Sequence, residues 1–416
     1  MTALPLSALL MPQAPNNRHG ICLQPQSARL SMSDVQEIVH VGVPNSIGSP
    51  WETASGGVGR AQEGATLAAI GEAIERYCAV LVDLPERQPS SVPQDRCLDA
   101  HAWHLFTEEQ QRDPAFRFAG IYSGDCPVTN VFNFQDNSEW WIPQPLIPLR
   151  DDHHTGVPTS SGLAAGATPM RALLRAIQEL IERDALMVTW LHSVAARAIA
   201  LPETHRAEVG RVHGEVHAFD LTPEYSPFPV IAIAGGIPKR GKWRYSLGVA
   251  CRETWQEALD KAYLEWNQGI LFAGLYGQRA DTSGIVDPGK VRSFDEHAMF
   301  YTLHPKRWAS LPFFARQDDI HEVSVPGRAM GTDAALLAVK DALAKNGIRV
   351  FYRDLTTIDA MQLGLSIVRA TSPDLAPIFA HQEWPLLGRV ETLLPSRYPW
   401  APKGLPFPNP MPHPLG

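Results

Sequence analysis

Two stretches of the chain repeat one pattern, and that repeat constrains the fold more than any other feature. Ala69-Ile70-Gly71-Glu72-Ala73-Ile74-Glu75-Arg76 and Ala176-Ile177-Gln178-Glu179-Leu180-Ile181-Glu182-Arg183 share A-I-x-E-x-I-E-R. Their offset is constant at 107 residues (179 − 72 = 107; 182 − 75 = 107). Ala262-Tyr263-Leu264-Glu265-Trp266-Asn267-Gln268 is a looser echo, A-x-x-E-x-x-Q. Each falls where a helix is expected. Each sets two oxygen-bearing side chains at i and i+3, on one helical face. Turned inward together, the three faces would gather Glu72, Glu75, Glu179, Glu182, Glu265 and the amide of Gln268. Carboxylates that close repel and desolvate badly unless cations neutralise them. Hard divalent ions such as Mg²⁺ suit oxygen ligands and bridge to phosphates. A single E-x-x-E-R is usually a solvated face with a weak ion pair. Recurrence in one frame of alanine and isoleucine argues for a packed environment instead.

Composition narrows the class. Hydrophobic residues make up 44 % of the 416, enough for a sizeable core and against global disorder. The net charge is −8 and no Lys/Arg run occurs, which argues against nucleic acid as the main partner. Five scattered cysteines lack any C-x-x-C spacing. They make neither a disulfide framework nor a zinc site, and they fit a reducing, cytoplasmic setting. No run approaches the ~18–20 apolar residues of a membrane span. The N-terminus has no positively charged region of the kind that opens a signal peptide.

Along the chain, residues 1–29 show no period and read as a loose arm. Val35–Val43 reads as a strand. Ser55-Gly56-Gly57-Val58-Gly59-Arg60 reads as a glycine-rich loop whose amides approach phosphate, with Arg60 adding charge. The first acidic helix is expected over Ala65–Val80. Short strands are expected at Phe116–Tyr122, Val128–Asn133 and Glu139–Ile142. Asp151-Asp152-His153-His154 is polar but turn-like, and is not read as a metal site. Thr168 and Pro169 are an N-cap and a first helical residue for the second acidic helix. Strands follow at Ala218–Leu221 and Val230–Ala234, then a turn over Gly235–Gly241 and a strand over Arg244–Ala250. The third acidic helix opens on the capping box Thr254–Glu257 and carries Lys261. A further helix is expected at Ala334–Lys345, and strands at Ile348–Leu355 and Leu365–Ala370.

Gly236–Trp243 imitates a P-loop, G-x-x-x-x-G-K, but Trp243 stands where Ser or Thr must bind Mg²⁺, and a strand follows. It reads as a hairpin turn. Any nucleotide site here is not a Walker site. In the tail, Pro406, Pro408, Pro410, Pro412 and Pro414 alternate with other residues. Such spacing forbids helix and favours an extended rod. A linker would read the same way. Yet the tail is almost uncharged and carries Phe407, Met411 and His413, and a stiff strand loses little entropy on docking.

In the order of these motifs the chain resembles the YcaO family. The glycine-rich segment with Arg60 comes first, followed by AIGEAIERY at Ala69–Tyr77 and TSSGLAAGAT at Thr159–Thr168. QELIERD at Gln178–Asp184, EWNQ at Glu265–Gln268 and the PxPxP ending come after. The family often has Ser where this chain has Ala69. The resemblance implies an α+β fold of mixed sheets and flanking helices, whose acidic faces form a non-Walker ATP site. It implies a variable arm over 1–34, a catalytic domain over 35–400 and a proline-rich tail over 401–416 that enters the active site. Its implied nucleotide residues are Gly59, Arg60, Glu72, Glu75, Arg76, Gln178, Glu179, Glu182, Arg183, Lys261, Glu265 and Gln268. The metal would sit on Glu72, Glu75, Glu179, Glu182 and Glu265, and the cofactors would be ATP and Mg²⁺. Pro410, Pro412, Pro414 and Gly416 would place the tail for catalysis.

The PxPxP ending resembles the azoline-forming branch, which turns Cys, Ser or Thr of a ribosomally made precursor peptide into thiazoline or (methyl)oxazoline. There the side chain attacks the preceding amide carbonyl, the oxyanion takes the γ-phosphoryl group of ATP, and phosphate then leaves. The implied partners are the precursor, an E1-like leader-binding protein and a flavin-dependent azoline dehydrogenase, with room for a homo-oligomer inside the complex. No leader-capturing domain is expected in this chain. Thioamide or amidine formation is the nearest alternative, and a non-catalytic ATP-bound scaffold is another.

Overall fold

A computed structural model describes residues 6–32, 34–44, 55–279 and 287–415. The strands form three sheets, and every neighbouring pair within them is antiparallel. The first holds β1 (Gln26–Ser27), β2 (Val39–Val43) and β3 (Ser55–Gly59), in that order. The second runs β5 (Glu139–Pro143), β4 (Val128–Asn133), β11 (Phe351–Asp354), β12 (Ser366–Thr371) and β6 (Leu163–Gly166). The third runs β10 (Lys242–Cys251), β9 (Val230–Lys239), β8 (Glu215–Asp220) and β7 (Arg197–Ile199).

Three long helices organise these sheets: α1 (Gln62–Leu81), α2 (Pro169–Leu191) and α4 (Trp255–Arg279). Shorter ones are α3 (Glu203–Arg211), α5 (Phe294–Leu303), α6 (Thr332–Lys345) and α7 (Val390–Arg397). Each long helix follows a strand and packs on it. Each also packs on the strand of the next unit: α1 on β3 and β6, α2 on β6 and β10, α4 on β10 and β3. The three strand–helix units therefore close into a ring.

The repeat explains how they approach so closely. Ala69, Ala176 and Ala262, the alanines that open the three motifs, are all fully buried. A glycine in each preceding strand faces the helix. A Cβ on Gly57 would lie 2.0 Å from the Ala65 carbonyl oxygen, one on Gly166 2.6 Å from the Ala172 nitrogen, and one on Gly248 2.2 Å from the Ala262 carbonyl oxygen. No side chain fits in that space.

This corrects one expectation. Ser55–Gly59 is not a loop but a strand, paired with β2 from Val39↔Gly59 to Val43↔Ser55. Its glycines serve backbone packing. Phe116–Tyr122 is likewise not a strand: Ala119–Tyr122 is a 3₁₀ turn. Phe116 and Phe118 pack with Phe106 instead, at 5.0 and 4.8 Å between ring centroids. The turn expected over Gly235–Gly241 is shorter than that, because β9 runs to Lys239. Only Arg240 and Gly241 turn, both at positive φ (53° and 76°), as a two-residue hairpin requires. Residues 6–32 are partly packed: Met11, Ala14 and Cys22 are buried, and β1 pairs with β2. Among the described residues no helix is long and apolar enough to cross a membrane.

Candidate functional site: an acidic ring with buried arginines

The helix faces predicted from the repeat converge where the ring closes. The first acid of each of the first two motifs turns back to its own strand. Glu72 Oε2 accepts from the Gly56 N–H at 2.6 Å, and Glu179 Oε2 from the Gly162 N–H, just before β6, at 3.2 Å. The last polar residue of each motif reaches forward. Glu75 Oε2 accepts from the Ala165 N–H in β6 at 2.9 Å, and Glu182 Oε1 from the Cys251 N–H in β10 at 2.7 Å. Gln268 closes the circuit on β3: a Cβ at Gly56 would lie 2.4 Å from its Nε2.

Basic partners sit on the same helices. Arg76 pairs with Glu72 at 2.5 Å, Arg183 with Glu179 at 3.1 Å and Lys261 with Glu265 at 3.1 Å. Arg252 adds a 3.1 Å contact to Glu182. Side-chain exposure ranges from 6 % at Glu182 to 30 % at Glu72, so the cluster is deep yet open on one side.

The electrostatics are those of closely set, deeply buried charges. Burial pushes the Glu75 carboxyl well above the usual range, and Glu179 and Glu72 add to the rise. Burial raises Glu179, against the pull of Arg183. Glu182 is pushed up to about 7 by burial, with Glu265 adding and Arg252 opposing. Burial works against the charge on Arg183, but Glu179, Glu182 and Glu265 hold its guanidinium firmly protonated. Two of that guanidinium's nitrogens, Nε and Nη1, are buried without a hydrogen-bond partner. An orphaned donor costs about 1–3 kcal/mol, and a phosphate oxygen is the partner it suits.

The residues therefore fit a metal–triphosphate group. Among the described residues no three metal-ligating side chains converge on one point. Mg²⁺ needs no such triad, since it binds through one or two carboxylates plus phosphates and keeps its waters.

Not every expected residue faces this cluster. Arg60 is bonded to Glu208 of α3 at 2.5 Å and lies over the Tyr263 ring. Gln178 is buried and bonded to Arg175, and it contacts Glu253 at 3.4 Å. Gly59 ends β3 beside the first turn of α1. Asp151–His154 forms a turn in which Asp151 accepts from the Thr155 and Gly156 amides.

Sequence reasoning missed Arg369. It is 3 % exposed on β12, and it donates to the Leu146 and Thr159 carbonyls at 3.2 and 2.6 Å. Its Nη1 has no partner. Burial pulls it down to about 10, and Glu179 and Glu75 oppose that fall. An arginine inside the run Ser366-Ile-Val-Arg-Ala-Thr371 was the available signal.

The tail is docked. Asn409 N–H donates to the Leu191 carbonyl at 2.7 Å, Trp190 Nε1 to the Met411 carbonyl at 2.8 Å and the Tyr301 hydroxyl to the Pro412 carbonyl at 2.6 Å. His413 is fully buried, stacks on His297 at 3.8 Å and bonds the Phe379 carbonyl at 2.7 Å. Burial pushes its imidazole well down, and the charges of His297 and Arg183 push the same way; its partner Phe379 follows Ile378, which lines one cavity with Arg183. Pro410 is exposed, whereas Pro412 and Pro414 are buried. Gly416 lies outside the described residues.

Comparisons with known proteins identify the fold and the family. No curated protein sequence matches the chain. Among solved structures, a heterocyclase in complex with substrate and cofactor superposes at TM-score 0.72 and 16 % identity, covering 94 % of this chain and 55 % of its own. The chain thus spans about half the length of that relative. YcaO from Methanopyrus kandleri, bound with AMPPCP and Mg²⁺, gives TM-score 0.62 at 15 % identity over 96 % of this chain and 93 % of its own. The E. coli microcin synthetase McbBCD complex gives 0.59 at 17 % identity over 86 % and 90 %. At such identities these structures speak for the fold. The family model of the ATP- and Mg²⁺-binding YcaO cyclodehydratases matches residues 56–376, most of the chain. That match, over the three acidic motifs and their ring, makes the chain a member of the YcaO family, with ATP and Mg²⁺ as its cofactors.

Proposed function

We propose that the chain is the azoline-forming cyclodehydratase of a peptide-modification system, acting on Cys, Ser or Thr of a ribosomally made precursor. The observation that carries this reading is the docked tail, whose last described residues are buried and bonded beside a cavity that Arg183 lines. When bound, ATP and Mg²⁺ supply the electrophilic phosphoryl group and the counter-charge that make an amide oxygen a leaving group. Glu72, Glu75, Glu179, Glu182 and Glu265 would supply the carboxylates for the Mg²⁺–triphosphate group, one or two to each ion. Arg183, through its two unpartnered N–H groups, donates to phosphate oxygen. Arg76, Lys261 and Gln268 fix the acids around them. Pro410, Pro412 and Pro414 stiffen the tail, so that its end is held in place for the step in which the amide proton is lost.

The setting proposed is cytoplasmic, with a leader-binding E1-like protein and a flavin-dependent dehydrogenase. A microcin synthetase complex with pro-MccB17 bound, at TM-score 0.60, supports such an assembly. The test supplies the cognate precursor and partner and measures mass. Loss of one water per modified residue, with peptide-dependent ATP consumption, is expected. Exchange of oxygen for sulfur would assign thioamide formation instead, and no peptide-dependent turnover would leave a scaffold.

A further inference from the structure

A cavity adjoins the acidic ring on the side of α2 and β12. Its wall includes Trp103, Leu146, Leu180, Ile378 and Leu393, and both Arg183 and Arg369 line it. Those two arginines also feel the acids, Arg183 through Glu179, Glu182 and Glu265, and Arg369 through Glu179 and Glu75. The cavity is thus separated from the acids by two guanidiniums with unmet donors.

We propose that this cavity is the acceptor subsite: it takes an apolar peptide side chain, and Arg369 Nη1 holds the backbone carbonyl oxygen beside it. This rests on the peptide-modifying reading above. The chemistry favours a neutral amide over a free anion. The unmet donors of Arg183 are assigned to phosphate above, and Arg389, which also lines the cavity, is paired at 2.5 Å with Asp374, whose own carboxylate faces the same wall and disfavours an anion. Arg369 spends its other donors on two neutral carbonyls, and its remaining N–H completes a set of the same kind. A carbonyl held there stands next to the phosphate-binding arginine, where activation has to occur. The remaining wall is mainly apolar, which suits a side chain of the leucine class.

The wall is also braced by the tail. His413 and His297 bond the Phe379 and Ala380 carbonyls, which directly follow the lining residue Ile378.

The experiment uses the full chain with Mg-ADP and two synthetic probes, N-acetyl-leucyl-cysteine amide and N-acetyl-glycyl-cysteine amide. Binding is read by ligand-observed NMR, and nucleotide affinity separately with a fluorescent ATP analogue. The leucyl probe should bind about tenfold or more tightly than the glycyl one, as burial of a leucine side chain predicts. Leu393→Trp, which fills the cavity, should abolish that preference and leave nucleotide affinity within about twofold, since Leu393 lies on α7, which carries none of the acids. Arg369→Gln should weaken both probes while Arg369→Lys restores part of the loss.

Equal binding of the two probes, or no binding at millimolar concentration, overturns the proposal. So does a loss of nucleotide affinity in Leu393→Trp or Arg369→Gln, which would assign the cavity to ATP. These readouts do not depend on the product formed. A sulfur-exchanged product would sink azoline formation and leave the subsite standing.

Discussion

Glu182→Gln should make the nucleotide-free protein more stable while disabling it. Glu182 is buried, and its carboxyl is raised from an ordinary 4.5 to about 7. That rise already includes the attraction of Arg252, so ionising the group in the fold is a net cost. The sign follows from linkage. An acid raised by folding contributes stability that is fully present below its unfolded value of 4.5 and lost as pH rises through about 7. At about 1.36 kcal/mol per pH unit, the span from 4.5 to about 7 is worth about 3 kcal/mol. Glutamine resembles the protonated acid, and its carbonyl can still accept from the Cys251 N–H. Urea unfolding without nucleotide should therefore favour the variant by up to about 3 kcal/mol near pH ~8, and by little near pH ~5. Adding Mg-ATP should reverse the order, because wild type gains binding energy that the variant lacks. A variant less stable than wild type at the higher pH, without nucleotide, would refute the reasoning. It would mean that Arg252 left unpaired costs more than the buried charge itself.

Other perturbations test the rest of the site. Glu72→Gln and Glu265→Gln should each lower Mg-ATP turnover by roughly 2–4 kcal/mol of transition-state stabilisation, and normal peptide-dependent hydrolysis by both would remove the acids from the site. Lys242→Ala should leave ATP affinity within about twofold, because Lys242 is exposed and pairs with Lys239 across the hairpin; a lost nucleotide signal in a folded variant would count against a turn. Deleting Pro412–Gly416 removes the Tyr301, His297 and His413 contacts, and should abolish ring formation while ATP binding persists; cyclisation at the wild-type rate would make the tail a linker. Gly57→Ala should destabilise by more than about 3 kcal/mol, through overpacking against the α1 backbone, and an unchanged unfolding midpoint would contradict the close approach of β3 to α1.

The acids were legible in the sequence because the helical period places i and i+3 together, and two copies at one offset left little room for chance. The alanines of the repeat pointed to packing for the same reason. Ser55–Gly59 was not legible as a strand, because glycine runs signal turns locally and only the facing helix reveals their packing role. Phe116–Tyr122 has the composition of a strand, yet ring packing decided its conformation, a tertiary effect no local pattern carries. Arg60 was placed near phosphate by its position after glycines, while Glu208, 148 residues further on, is the partner that holds it. Arg369 carries no motif at all. Its importance arises from what surrounds it once β12 is buried.

The closed ring also decides where this protein can change without losing its site. Four of the five acids accept a backbone N–H in or just before a strand of their own unit or of the next, and ion pairs with Arg76, Arg183, Lys261 and Arg252 complete the hold. The connecting segments, residues 82–161 and 192–241, enter none of those ties. The loops within them can lengthen while their strands β4, β5, β7, β8 and β9 keep their pairing and the glutamates keep their places. Divergence in such a chain should accumulate between the units and spare the junctions. Relatives at 15–17 % identity can then keep one fold around very different outer surfaces.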